Sequence, residues 1–422
     1  MIDIELIRQD PETVKKGIAR KGVNPEIVDK FLALDERWRG LVKNLDDLRA
    51  KQKKLSESRE ISEAKKVKDE IQAFEATVRE AEASREEVIL QIPNPPLPKV
   101  PEGKDESENV VLREVGERRE LDFEPKDHLA LGQALDIIDF ETGAKVTGSG
   151  FYYLKNEGVL LELALVRYAL DFLSEQGFGL WLTPDLAREK FYLGTGYSPQ
   201  GPEAQTYEIK DSDLGLIATA EVTLAGIHTD EIINEADLPK RYAGYSHCFR
   251  QEAGGYGKYS KGLYRVHQFT KVEMFAYAMP EDSAKIHEEL LKNEEELWQS
   301  LGIPYRVVEM CAGDLGAQAA RKFDLEAWMP GRPAPDGRGR GDWGEVTSTS
   351  NTTDYQARNL NIRLKRKDGK LEFAHTLNGT AIATSRAIIA ILENYQTKDG
   401  SVVIPEALRP YVGKSEIRAK AA

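Results

Sequence analysis

Only two of the 422 residues are cysteine, Cys248 and Cys311. They make neither a metal-ligand spacing nor a disulfide framework, which speaks against a thiolate zinc site and fits a reducing compartment. The start, MIDIELIRQD, has no basic segment followed by an apolar core and does not read as a signal peptide. Long unbroken apolar runs are missing as well. The most apolar helical stretch, Val159 to Leu173, carries Glu162, Arg167 and Asp171, which excludes an ordinary membrane span. Positive charge is in deficit, since 71 acidic against 58 basic side chains leave a net charge of −13. Such a field confines any nucleic-acid contact to a local basic patch. No G-x-G-x-x-G follows a strand-like run, and no series of βαβ units appears, so a dinucleotide fold is disfavoured. The expectation is a cytoplasmic protein without membrane association, long enough for two or three domains.

The first hundred residues have their own pattern. From Glu26 to Leu55, residues Phe31, Leu34, Trp38, Leu41, Leu45, Leu48, Gln52 and Leu55 are spaced alternately three and four. After Ile61, residues Ala64, Val67, Ile71, Phe74, Val78, Ala81, Arg85 and Val88 keep the same spacing. A repeat of 3.5 residues makes a narrow apolar seam that each helix buries against a partner. The two runs, joined at SESREIS, read as an antiparallel hairpin about 45 Å long at ~1.5 Å per residue. The proline-rich stretch Gln91 to Pro101 cannot continue the helix and reads as a linker. Arg49, Lys51, Lys53, Lys54, Arg59, Lys65, Lys66 and Lys68 gather around the hairpin tip, whereas Glu80, Glu82, Glu86 and Glu87 lie near its base. Charge alone admits two readings of that tip, a solvated coiled-coil face or a contact with a nucleic-acid backbone.

Beyond residue 110 helical stretches (Val159 to Glu175, Ala284 to Leu301, Thr384 to Asn394) mix with short strand-like runs, an α+β pattern. The stretch from Phe249 to Met274, FRQEAGGYGKYSKGLYRVHQFTKVEM, reads as a hairpin. Residues i and i+2 of a strand share a face, so Arg250 and Glu252 are expected to enter one pocket, with Phe269, Lys271 and Glu273 facing it from the return strand. Guanidinium for phosphate, an aromatic face for a base and acceptors for amines suit a nucleotide. The same residues also fit an ion-paired hairpin with a flexible glycine-rich tip, Gly254 to Gly262.

Several segments in one order narrow the choice: GFGLWLTPDL with Pro184, TAEVTL from Thr219, the stretch from Phe249, GEVTSTSNTTDYQARN from Gly344, and HTLNGTAIATSR from His375 to Arg386. Together with the hairpin and IPNPPLP, this set resembles the class II aminoacyl-tRNA synthetases, and within them the seryl-tRNA synthetase family. The resemblance implies a class II antiparallel sheet flanked by helices and preceded by a coiled-coil arm. Residues 1–100 would form a tRNA-binding domain, with its hairpin at about 26–90. Residues 101–422 would form the catalytic domain, with motif 1 near 177–186, motif 2 at 249–274 and motif 3 at 375–394.

The implied reaction joins serine and ATP into seryl-adenylate and pyrophosphate, then moves serine to the tRNA 3′ end. By this resemblance Arg250 and Arg386 are catalytic. Arg250 holds the α-phosphate, where charge builds during attack. Thr219, Ala220, Glu221, Arg250, Glu273 and Thr380 bind serine. Arg250, Gln251, Glu252, Val266, Phe269, Glu345, Val346, Thr347, Ser348 and Arg386 bind ATP, Phe269 and Arg386 sandwiching adenine and Glu252 accepting from its amino group. Glu345 and Ser348 are oxygen ligands suited to Mg²⁺, and no zinc is expected. The arm reads the long variable arm of tRNA(Ser) through the eight basic tip residues, with tRNA(Sec) a further substrate and a homodimer implied by motif 1.

Departures from the family pattern include Gln251, the run Ser348 to Asn351, TAIATSR in motif 3 and a lengthened loop from Pro330 to Asp342, whose Arg338 and Arg340 read as solvated. Two other readings share parts of the pattern: a ligase charging a carrier protein, and a non-catalytic coiled-coil relative. Relatives of the first kind typically lack the arm. The second should have lost Arg250, Glu273, Glu345 or Arg386, and all four are present. Deleting Glu26 to Leu90 should leave serine-dependent ATP–pyrophosphate exchange intact and abolish tRNA charging. Normal charging by the truncated protein would remove the arm from tRNA recognition.

Overall fold

The computed structural model describes residues 1–197, 206–252, 261–335, 337 and 339–419. The chain separates into two compact units, Met1–Pro96 and Leu97–Ala422.

In the first unit, α1 (Ile4–Gln9) and α2 (Pro11–Arg20) begin at Asp3 and Asp10, whose carboxylates accept from the amides of Glu5 and Thr13. Each cap satisfies a donor that has no partner within its helix. Then come α3 (Glu26–Glu57) and α4 (Ile61–Ile89), joined through Arg59 at a positive φ of 63°. Asp35 meets Arg85 and Arg49 meets Glu75, so the numbering falls along one helix as it rises along the other. The pair is antiparallel. The seam buries Leu45, Val67, Ile71 and Val78, with Trp38, Leu41, Leu48, Leu55 and Phe74 packed against them. All eight basic tip residues are exposed. They lie within about 15 Å of the turn, given ~1.5 Å of rise per residue. Two already have acidic neighbours, Arg49 with Glu75 at 2.9 Å and Lys66 with Glu63 at 2.6 Å.

At the base of the hairpin sits a charge outside the apolar series. Asp35 is fully buried. It accepts from Arg8 Nη2 (2.8 Å) and Nε (2.9 Å), Arg39 Nε (3.0 Å) and Arg85 Nε (2.7 Å). The Arg85 guanidinium also lies over the rings of Trp38 at 4.7 Å and Phe31 at 5.4 Å. This explains why an arginine interrupts an apolar seam: its stem and planar face pack while its fork pairs. Burial opposes ionisation of Asp35, but the hydrogen bonds from Arg8 and Arg85 outweigh it and hold the carboxyl below its ordinary range.

The second unit is organised by one sheet. Its strands are Val110–Val115 (β1), Gly179–Leu182 (β2), Lys240–Phe249 (β3), Gln268–Ala278 (β4), Tyr305–Glu309 (β5), Arg321–Pro333 (β6), Arg340–Asn351 (β7) and His375–Ala383 (β8). They hydrogen-bond in the order β1-β5-β6-β7-β8-β4-β3-β2. Neighbours are antiparallel except β2 and β3. Helices α5 (Glu157–Glu175), α6 (Ser283–Ser300) and α8 (Thr384–Asn394) bury the back of the sheet, with Leu161, Leu165, Leu297, Trp298 and Ile388 packing among Val272, Met274 and Leu325. The short helix α7 (Tyr355–Asn359) follows β7. With its back sealed, the sheet's front is free to carry polar groups.

The edge strand β2 has all four residues exposed, including Leu180, Trp181 and Leu182. On α5, Val159, Leu160 and Leu163 are exposed too. Arg340, expected to be solvated, is exposed; it also donates Nη1 to Gly331 O at 3.0 Å and faces Glu124 at 3.4 Å. Arg338 and the glycines at 254, 255 and 257 lie outside the described residues. No helix among the described residues is long and apolar enough to cross a membrane.

Asp35→Ala should destabilise the first unit by about 3 kcal/mol, the low end for a broken buried pair because Arg39 remains half-exposed. Since the Asp35 carboxyl lies below its unfolded value, its stabilisation is complete above about pH 4 and disappears as pH falls through the folded value. Native-state amide exchange should show lost protection in α3 and α4 beside Asp35 and no change in the sheet. Unchanged protection in those helices would refute the assignment.

Candidate active site

A cavity of about 400 Å³ opens on the front of the sheet. Ordinary strand alternation alone would not build it. On β4, Phe269, Lys271 and Glu273 do project into it in register. On β8, however, Lys271 pairs with Ala383 and Glu273 with Thr380, so one extra residue, Ala381, is accommodated between them. This bulge turns both Thr380 and Ala383 to the front. A second bulge lies at Val346 on β7, where Glu345 pairs with Glu326 and Thr347 with Leu325. Three residues apart on a regular strand, Glu345 and Ser348 would face opposite ways. The extra residue puts both on the front, while the Thr347 side chain turns to the back and donates its hydroxyl to Glu294 Oε2 at 2.8 Å, although the residue still borders the cavity.

Arg250 and Glu252 reach the cavity by a different route from the one the sequence implied. β3 ends at Phe249, so neither residue is in a strand. The Arg250 amide bonds His267 O at 2.9 Å, and Glu252 takes a positive φ of 51°. The irregular backbone beyond the strand end, left-handed at Glu252, carries both side chains into one cavity. The Arg250 guanidinium lies 5.2 Å from the centre of the Phe269 ring, and Arg265 Nη1 pairs with Glu252 at 3.2 Å. Arg386, in the first turn of α8, binds Glu345 Oε1 at 2.9 Å and lies over Tyr264 at 4.8 Å. Burial opposes ionisation of Glu345, but the charges of Arg386 and Lys322 prevail and depress its pKa.

The other end of the cavity holds two buried carboxylates. Glu273 pairs with Lys271 Nζ at 2.5 Å, and Thr380 Oγ donates to Glu273 Oε2 at 3.4 Å. Glu221 is surrounded by donors: Gln356 Nε2 and Asn378 Nδ2, each 2.7 Å from Oε1, and the Tyr197 hydroxyl 3.0 Å from Oε2. Burial and the charge of Glu273 push Glu221 up to about 7. Its segment lies close against β3, where a Cβ on Gly244 would come 2.8 Å from Leu224 and 3.0 Å from Ala220. Glycine permits that approach.

Of the residues singled out from sequence, Arg250, Glu252, Val266, Phe269, Glu221, Glu273, Thr380, Glu345, Val346, Thr347, Ser348 and Arg386 line this one cavity. Three do not. Thr219 is buried behind it, its hydroxyl accepting from Glu221 N at 3.2 Å, and Ala220 is buried against the sheet. Gln251 turns away and donates to Thr206 O at 2.7 Å. The sequence reading missed Tyr197, Tyr264, Arg265, Lys322 and Asn378, which also line the cavity. Asn378 had a local signal, standing two residues before Thr380 on one strand face, as did Lys322 two residues before Asp324.

Magnesium suits the oxygen donors present. Glu345 and Ser348 share the front face and line the cavity, and a small hard cation with few protein ligands takes its remaining ligands from substrate and water.

Two family models match the chain: the tRNA synthetase class II core domain (G, H, P, S and T) over residues 206–395, and the seryl-tRNA synthetase N-terminal domain over residues 1–96. It is 54% identical to the serine–tRNA ligase of Dictyoglomus turgidum over 432 aligned residues, covering 100% of both chains. To that of Rubrobacter xylanophilus it is 54% identical over 428 residues, covering 99% of each. Among solved structures it resembles seryl-tRNA synthetase from Pyrococcus horikoshii complexed with ATP, with a TM-score of 0.89, 43% identity and 100% of both chains covered. It also resembles the cytoplasmic serine–tRNA ligase of Naegleria fowleri in complex with AMP, with a TM-score of 0.85, 35% identity and 100% and 99% coverage. With matches across both units and full-length relatives at this identity, the chain belongs to the seryl-tRNA synthetase family of class II aminoacyl-tRNA synthetases.

Proposed function

We propose that this protein is a serine–tRNA ligase that activates L-serine with ATP and transfers it to the 3′ end of tRNA(Ser), and to tRNA(Sec) as well. One observation carries the reading: a guanidinium over an aromatic ring and a pair of buried carboxylates lie at two ends of one cavity. That arrangement matches a nucleotide joined to a small cationic amino acid. Adenine stacks on Phe269, with Arg386 as the opposite face and Glu252 accepting from the exocyclic amine. To do so Glu252 shares its carboxylate with Arg265, and Arg386 leaves Tyr264. Val266 contributes backbone contacts to the nucleotide, and Val346 and Thr347 line its phosphate end.

At the other end the serine ammonium meets Glu221, while its hydroxyl pairs with Glu273 and Thr380. Thr219 and Ala220 act from behind by holding Glu221 in place, and Gln251, tied to Thr206 O, braces the segment that carries Arg250. A hydroxyl-pairing site rejects an amino acid lacking that hydroxyl, because its buried polar groups are left without partners. Arg250 bridges the ends. It orients the serine carboxylate beside the α-phosphate and stabilises charge as the bond forms, a donor that is already in place before reaction. Magnesium on Glu345 and Ser348 would neutralise charge on the ATP phosphates.

The exposed basic tip of the hairpin contacts the tRNA backbone, which accounts for a local cationic patch on an acidic protein. Exposed Leu180, Trp181 and Leu182 with Val159, Leu160 and Leu163 form the homodimer surface, since an apolar strand edge in water needs a cover. Two buried free thiols suit a cytoplasmic setting.

Pyrophosphate exchange with serine, threonine, alanine and glycine tests the assignment. Serine should support exchange and alanine should be disfavoured by roughly 10⁴-fold, as for sites built around a hydroxyl. Exchange with none of the four would exclude a ligase. Arg250→Ala should lower the exchange rate about 10²- to 10³-fold. Unchanged adenylate formation in that variant would remove Arg250 from the α-phosphate.

A further inference from the structure

Glu221 is 3% exposed, and a carboxylate in that setting needs its lone pairs satisfied. An ionised carboxylate offers about four acceptor positions. Among the described residues three are taken: two on Oε1 by Gln356 Nε2 and Asn378 Nδ2, one on Oε2 by the Tyr197 hydroxyl. The Gln356 amide is itself locked. Its Oε1 accepts from Thr376 Oγ at 2.9 Å, and its Nε2 also donates to Thr195 O at 3.1 Å. Thr376 is held in turn by Thr352, whose Oγ lies 2.6 Å from Thr376 Oγ and 2.8 Å from Thr376 O. Flipping Gln356 would set its oxygen against both Glu221 and the Thr195 carbonyl, so only one orientation is satisfied.

We propose that Gln356, locked by Thr376, and Asn378 are positioning residues that keep the Glu221 carboxylate ionised and leave one Oε2 acceptor for the ammonium of the incoming amino acid. The inference rests on the assignment of this end of the cavity to serine. It explains why an amide pair, Gln356 buried behind the cavity on α7 and Asn378 lining it from β8, converges on one oxygen. A donor that binds the carboxylate more strongly than the neutral acid favours the charged form. The need is real, because the groups facing Glu221 pull both ways. From β4, Glu273 disfavours its charge and Lys271 favours it, while the Tyr197 hydroxyl supports it from the loop before residue 198. Burial is the largest influence and also opposes the charge, leaving the group at about 7 with every donor in place. Without Gln356 the carboxyl rises further, and at neutral pH it presents a neutral acid to an ammonium ion.

The test measures serine-dependent ATP–pyrophosphate exchange against pH in the full-length protein. Gln356→Leu should raise the KM for serine about ten-fold at pH 7, the effect expected for a lost hydrogen bond to a charged group. The acid limb of kcat/KM for serine should move up by about one pH unit, while the KM for ATP stays unchanged. A merely structural loss would depress kcat at every pH and affect both substrates. Thr376→Val keeps Gln356 in place and removes only its lock, so it should shift the limb the same way by a smaller amount. It decides the question if Gln356→Leu fails to fold, as judged by thermal unfolding. Glu221→Gln separates the two levels of inference. If it binds serine normally, the serine end is misassigned. If it loses serine while folded Gln356→Leu and Thr376→Val keep the wild-type limb and KM, the positioning role alone is overturned.

Discussion

Two single-residue insertions in the strand ladder, at Val346 and Ala381, are what the site depends on. A regular antiparallel sheet presents every second residue to one face. The cavity brings together Glu345 with Ser348, and Thr380 with Ala383, pairs three apart that regular alternation would send to opposite faces. Each bulge absorbs one residue and re-aims the strand. Both bulged residues are buried, so apolar packing holds the irregularity in place. From there the remaining pieces can be rigid. Arg386 comes at the start of a helix that directly continues β8, and Glu273 pairs in register with Thr380.

The second theme is opposed charge in a small volume. Glu221, Glu273 and Glu345 share one cavity with Lys271, Lys322, Arg250 and Arg386. Burying ions is costly unless each is paired and hydrogen-bonded. The pairs Lys271–Glu273 and Arg386–Glu345 meet that requirement directly. Glu221 meets it with neutral donors, which leaves its charge available to a cationic ligand. The end that holds Glu221 and Glu273 is thus hydrogen-bonded and ion-paired as it stands. The helical unit solves a similar problem differently: three arginines converge on one buried carboxylate, and Arg85 covers its own stem with Trp38 and Phe31.

Much of this was legible in the residues. The spacing of three and four from Phe31 to Val88 announced a helical hairpin, because a seam with that repeat has only one economical burial. Phe269, Lys271 and Glu273 were legible as one face for the equally local reason that a strand repeats every two residues. Arg250 and Glu252 were rightly grouped but for the wrong reason, since a left-handed residue beyond the strand end does what alternation was expected to do. Asp35 was invisible. Its neighbours in sequence carry no hint that Arg8 and Arg85, 27 and 50 residues away, will close over it.

What the sequence determined by itself is therefore what repeats locally: the hairpin, the return strand of the site, the acidic balance with a basic tip, and the ordered motifs that carry the family resemblance. Only the tertiary structure decided which oxygens of Glu221 are occupied, that Thr219 and Ala220 stand behind the cavity, and that Gln356 and Thr376 reach it from behind. The physical reason is range. Periodicity is set by bond geometry within a few residues, whereas a bulge, an amide lock or a buried ion pair is set by whichever distant strand or helix packs against it.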